Sequence, residues 1–263
     1  MATFTAKDVQ GLRQATGAGM MDAKKALVDA DGDFDAAAKS LREKGLAKAA
    51  KREDRENNDG AIAVASSDTA AALVQLRCET DFSAKSTDFV TLVGELAELV
   101  LAGGVNAVAE KADAIDDLKI SKKENIELGA VELVEADAGQ SIDTYLHVQD
   151  GRGVNGVVVL AEGVDPDTLH QVALHIAFAK PTVLHRDEIA PELVAKEQSD
   201  LLDLTKAEGK PEAAWDKIVE GRLTGWFRET VLLEQGLHGD KTSVSDTIGN
   251  GSIIRFAQAY NGA

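Results

Sequence analysis

Three observations predict an α+β fold for this chain. Apolar residues recur at helical spacing over the first 45 residues. At Gly60 the pattern changes to alternation rich in β-branched residues. From there the order hairpin, then helix, occurs twice. The expected architecture is a three-helix N-terminal module with a basic linker (1–55), followed by a core N-subdomain (56–140) and a core C-subdomain (141–263). The core reads as an internally duplicated antiparallel sheet with helices on one face, carrying an inserted helical hairpin at about 187–224.

The head is justified helix by helix. Thr5 and Asp8 have the spacing of a capping box, Val9 and Leu12 follow on one face, and Gly17 is placed to end the helix. A second helix after Met20 carries Ala23, Ala26, Leu27 and Ala30 at i, i+3, i+4, i+7. Asp33 caps a third, with Phe34, Ala37, Ala38 and Leu41 on one face and Gly45 as its expected stop. Seven basic residues lie between Lys39 and Arg55, opposed by Glu43, Glu53 and Asp54. This local reversal of sign fits either a solvated helix or docking onto an acidic partner surface.

In the core, Ala61–Ala65 and Ala72–Cys78 read as a hairpin about the turn Ser66–Thr69, with a helix running from about Phe82 through Leu101. Tyr145–Val148 and Val154–Leu160 form a second hairpin about Asp150-Gly151, a dipeptide suited to left-handed turn positions. A helix after Pro166 carries Leu169, Val172, Ala173 and Ile176. Pro191 suits the first position of the inserted hairpin's first helix, and Gly209-Lys210-Pro211 separates it from a second bearing Trp215, Ile218 and Val219. Ser252–Phe256 reads as the last strand.

Composition bounds the function. Lys and Arg total 28 against 45 Asp and Glu, a net charge of −17, which argues against a general nucleic-acid binder. One cysteine, Cys78, allows no internal disulfide. No stretch is apolar for long enough to span a membrane. The opening MATFTAKDVQ has no basic segment leading into an apolar run, so the expectation is a cytoplasmic chain without a signal peptide. The histidines at 147, 170, 175, 185 and 238 have no metal-ligand spacing, there is no phosphate loop, and nothing frames a serine nucleophile. Neither catalytic residues nor a cofactor or metal are expected. The residues by themselves lead to a modular binding protein.

Resemblance adds to this reading. Leu12-Arg-Gln-Ala-Thr-Gly-Ala-Gly-Met-Met-Asp-Ala-Lys-Lys-Ala-Leu27 closely resembles the N-terminal signature of the bacterial elongation factor Ts family. Cys78-Glu-Thr-Asp-Phe82 is similar to its Thr-Asp-Phe motif, and His175-Ile-Ala-Phe-Ala-Lys-Pro181 to a third family segment. The glycine–lysine–proline break and Leu232-Leu-Glu-Gln235 fall in family order, so the likeness covers essentially the whole chain. It implies a UBA-like head and guanine-nucleotide exchange on elongation factor Tu, bound both with GDP and nucleotide-free. No nucleic acid, membrane or covalent catalysis is implied.

The resemblance also implies site residues. Thr80, Asp81 and Phe82 would enter the GTPase near its Mg²⁺ site and displace the ion, whereas position alone is equally served by Asp81 as a helix cap and Phe82 as core. Arg13, Met20, Met21 and Lys24 would lie against the nucleotide-binding domain. Successive helical residues are about 100° apart, so the two methionines cannot both face inward. His147 matches a family histidine but reads equally well as a core residue, and His175 reads as core. The chain departs from the family pattern at Ser83, often valine; at Lys122-Lys123 before Glu124-Asn125, usually Ile-Gly; and at Gln235-Gly236-Leu237, usually Gln-Pro-Phe. Two rival classes stand beside exchange: a chaperone-like adaptor that binds through its head, and a small-molecule enzyme using the groove between subdomains.

Overall fold

The computed structural model describes residues 4–262. The head comprises α1 (Ala6–Thr16), α2 (Met20–Asp29) and α3 (Phe34–Ala50). The first half of the core runs β1 (Asp59–Ser66), β2 (Ala70–Cys78), the short α4 (Asp81–Ala84), α5 (Thr87–Gly103), α6 (Ala112–Lys122) and β3 (Glu127–Glu135). The second runs β4 (Gln140–Gln149), β5 (Arg152–Glu162), α7 (Pro166–Ala179), the hairpin α8 (Pro191–Ala207) and α9 (Trp215–Thr230), α10 (Val244–Ile248) and β6 (Ser252–Tyr260).

Each half places its second strand in the middle. β1 and β3 flank β2, and β4 and β6 flank β5, all antiparallel. The halves join where Ile62 of β1 stands opposite Gly153 of β5. Strand alternation then sorts the side chains. Ala72, Val74, Leu76 and Cys78 pack under α5 against Phe89, Val93 and Leu96. The intervening Ala71 and Leu73 point away, to Ile62, Val158, Leu160 and Ala259. On β5, Val157, Val159 and Ala161 meet Leu169, Val172 and Ile176 of α7. The two half-sheets therefore lie face to face with helices outside. β2 and β5, covered on both faces, read as nearly continuous apolar runs for this reason.

The head caps as its sequence predicts: Thr5 and Asp8 exchange both bonds of a capping box, Gly17 closes α1 at φ 63°, and Asp33 accepts from Ala36 N. Two expected boundaries are corrected. α3 continues through Gly45 to Ala50, because this glycine serves packing rather than termination. A Cβ there would stand 3.0 Å from the Ile120 side chain of α6. The helix expected from Phe82 to Leu101 is broken at Lys85-Ser86, and a new start at Thr87 turns Phe89 into the core. α6 and β3 carry no clear sequence signal; at Gly129 of β3 a side chain would meet the Gln75 amide.

The connector is tied down. Arg42 pairs with Asp113 (2.9 Å) and Asp117 of α6, and Arg52 Nη2 donates to Lys119 O (2.9 Å). Asn125 Nδ2 donates to the carbonyls of Glu53 (3.1 Å) and Arg55 (2.8 Å). No helix among the described residues is long and apolar enough to cross a membrane.

His175 is part of the second core, as its apolar helix predicts. Its Nδ1 accepts from His238 N (3.1 Å), which leaves Nε2 to donate to Gln235 Oε1 (2.9 Å). Gln235 Nε2 in turn donates to Glu229 O (2.8 Å). Gly236 follows where a Cβ would lie 1.8 Å from Asp240 O, so the departure from proline here accompanies a tight approach of two loops.

Two predictions rest on this packing. Gly153→Ala would place a Cβ 2.1 Å from Ile62 O at the junction of the halves. It should lower the free energy of unfolding by at least ~1–3 kcal/mol in denaturant titration. Burial pushes the His175 imidazole below its ordinary pKa, so the unfolded state binds the proton more readily. Stability contributed by neutral His175 is then fully present above about pH 6.5 and declines as pH falls below that value. His175→Gln should flatten this acid limb relative to wild type when unfolding is followed across the range.

Candidate functional site

Thr80, Asp81 and Phe82 stand where β2 gives way to α4. Thr80 is the helix cap: its Oγ1 accepts from Ser83 N (3.3 Å). Asp81 is the first helical residue, and Phe82 is 85% exposed. The packing alternative, with Asp81 as cap and Phe82 in the core, is thereby overturned. A large aromatic held outward has lost the burial that ordinarily stabilises it.

The turn beneath Phe82 is fixed by one carboxylate. Glu124 Oε2 accepts from Glu79 N (3.0 Å) and Thr80 N (3.1 Å), while Oε1 accepts from Thr80 Oγ1 (2.7 Å) and Ser83 Oγ (2.6 Å). Asn125 N donates to Glu79 Oε1 (2.6 Å) beside it. Ser83, buried where the family often has valine, thus uses its hydroxyl. Sequence reasoning missed Glu124 as an anchor, since a contact spanning more than forty residues leaves no local signal.

Lys85 secures the outer side. Its Nζ reaches Asp81 Oδ2 (2.7 Å) and Asp150 Oδ2 (3.0 Å). The Lys85 hydrogen bond holds the Asp81 carboxyl below the usual carboxylate range, so Asp81 is an anion at neutral pH. The lysine is raised in turn, first by Asp81 and then by Asp150. Asp150 (φ 52°) and Gly151 (φ 79°) form the left-handed turn of the β4–β5 hairpin, as the dipeptide predicts. The Asp81-Phe82 pair therefore sits at the seam of the two core halves, one salt bridge from the turn that follows exposed Val148 at the end of β4. The i, i+4 spacing of Asp81 and Lys85 is visible in sequence, but the partnership with Asp150 is not.

The other predicted residues form separate patches. Arg13 lies in the last turn of α1, and Met20, Met21 and Lys24 lie on α2; all four are exposed. Both methionines face outward, where the spacing argument required only one. His147 is exposed on β4, with Nδ1 3.4 Å from Tyr145 Oη, and so is not a core histidine. Among the described residues no hydrogen bond or ion pair links the head residues, Thr80–Phe82 and His147 into one constellation. Phe178, exposed at the end of α7, was not singled out by its sequence position.

The chemistry here is that of a contact surface. Cys78 is buried, and burial pushes its thiol up to about 12, so it is no nucleophile. Among the described residues no group of His, Cys, Asp and Glu is arranged to hold a metal ion.

Comparison with known proteins agrees with these motifs. The family model described as Elongation factor TS matches residues 79–260. A protein of Clavibacter michiganensis subsp. michiganensis named Elongation factor Ts is 43% identical over 259 residues, 94% of each chain. Those of Cutibacterium acnes (42%, 93% of each chain) and Renibacterium salmoninarum (39%, the full length of both) bear the same name. With a family model spanning well over half its length and relatives alike from end to end, the chain belongs to the elongation factor Ts family.

Proposed function

We propose that this chain is a guanine-nucleotide exchange factor for elongation factor Tu, acting in translation elongation in the cytoplasm. It forms and breaks no covalent bond and needs no cofactor. It binds the GTPase with GDP or without nucleotide, and the two ligands weaken each other's binding. Weakening GDP by 10²–10³-fold takes about 3–4 kcal/mol of differential binding. The GTPase holds nucleotide through its phosphate loop and Mg²⁺, so disturbing that site is a direct route to the coupling.

The observation that carries the reading is the pairing of exposed Phe82 with an anionic Asp81 on a rigid turn. Phe82 acts as the wedge, and Asp81 brings negative charge to the Mg²⁺ environment. Thr80 holds both in place. Arg13, Met20, Met21 and Lys24 bind the nucleotide-binding domain from the head, the methionines as soft adaptable contacts. His147 supplies a further contact from β4. An adaptor has no use for an outward aromatic beside a fixed carboxylate, which favours exchange over that rival.

Two variants test this. Phe82→Ala should leave stability within about 0.5 kcal/mol, since the ring is exposed. It should slow stimulated GDP release by roughly 30- to 1,000-fold, the equivalent of about 2–4 kcal/mol at an interface centre. Normal release of labelled GDP with this variant would remove the wedge assignment. Glu124→Ala strips the acceptor from two backbone N–H groups and two hydroxyls. It should lower both exchange and stability, the latter by about 1–3 kcal/mol, as read from melting and release on the same preparation.

A further inference from the structure

The fold separates the connector's three arginines from Lys44 and Lys48. Arg42, Arg52 and Arg55 turn to groups of the core. Lys44 and Lys48, one turn apart on α3, instead line a cleft of about 380 Å³ between head and core. Lys25 of α2 lines a second side and Lys123, the left-handed cap of α6, a third. Arg52 also lines the cleft, with its Nη2 donating to Lys119 O. The rest of the lining is the backbone of Gly17-Ala18-Gly19 leading into α2, where Gly19 offers no side-chain cap, together with the apolar Ala26, Leu41 and Ile120. Asp22 is the one carboxylate among the lining residues. Among the described residues Lys25, Lys44, Lys48 and Lys123 make no ion pair.

Each of these features is unfavourable alone. Like charges at i, i+4 repel along a helix. An uncapped helix start carries partial positive charge. An anion in the cleft relieves both, and in a chain of net charge −17 the concentration of five cations here is set against the general field.

We propose that the cleft between head and core is a binding site for a compact polyphosphate-class anion. Lys25, Lys44, Lys48 and Lys123 bind its oxygens with Arg52 beside them, and the Gly17–Gly19 turn closes the fourth side. The volume lies within the range of small-ligand sites, roughly 300–1,000 Å³. Walls on α2, α3, α6 and the α1–α2 turn suit a compact ligand better than an extended acidic segment. Because those walls belong to both head and core, the bound anion fastens one to the other. The inference stands independently of the exchange reading.

The test is thermal unfolding of the full chain against pyrophosphate, in metal-free buffer with ionic strength held constant by NaCl. The melting temperature should rise and saturate. A Lys44→Ala, Lys48→Ala double variant should weaken the apparent Kd roughly tenfold or more, yet melt no lower than wild type without the anion, since two repelling exposed charges are gone. Lys25→Ala, on a different helix, should weaken binding in the same way and serves if the double variant misfolds. The proposal fails if wild type shows no saturable rise, if the lysine variants respond like wild type, or if a polyglutamate peptide binds more tightly than pyrophosphate.

Discussion

The apolar contact between the two half-sheets is the constraint on which the rest of the structure depends. Ile62, Ala71 and Leu73 of one half meet Val158, Leu160 and Ala259 of the other. Burying that face brings the β4–β5 turn to the end of β2, and only then can Lys85 reach both Asp81 and Asp150. Gly153 and Gly156 permit the approach, since a Cβ at either would press on Ile62. Volume is the limiting quantity in such a seam, where interiors are packed as densely as organic crystals. Exposed Phe82 thus inherits its position from side chains buried in the seam.

Rigidity at the candidate site comes from polar rather than apolar groups. α4 has four residues, too few to hold itself together by helix propensity. Glu124 substitutes for that missing stability by accepting four hydrogen bonds from the turn, and Asn125 ties the same loop to the connector. Charge-assisted bonds of this kind are shorter and stronger than neutral ones. An aromatic side chain presented on such a base loses little conformational freedom on binding, which favours affinity through preorganisation.

Electrostatics divides the molecule along similar lines. The overall charge is strongly negative, yet the head–core junction gathers arginines that are paired and lysines that are not. Arg42 is consumed in fastening α3 to α6 through Asp113 and Asp117. Lys44 and Lys48 share its helix but point into the cleft. A run of basic residues is therefore not one structural element: helical phase decides which members hold the fold and which stay unpaired.

The sequence by itself determined the helices of the head, both hairpins, α7, the α8–α9 hairpin and β6, because caps, prolines, turn dipeptides and apolar periodicity are local. It also determined the family, through motifs that are contiguous. The limits appear where a residue's meaning depends on a distant neighbour. Gly45 reads as a stop until Ile120 is beside it, and β3 is nearly silent until Gln75 explains Gly129. Phe82 and His147 each had a buried and an exposed reading, and no local pattern separates them. Tertiary structure decided both, because exposure depends on what the rest of the chain covers. Glu124 and Asp150 became part of the site only through contacts across the fold, where a hydrogen bond or ion pair links residues that sequence spacing cannot relate.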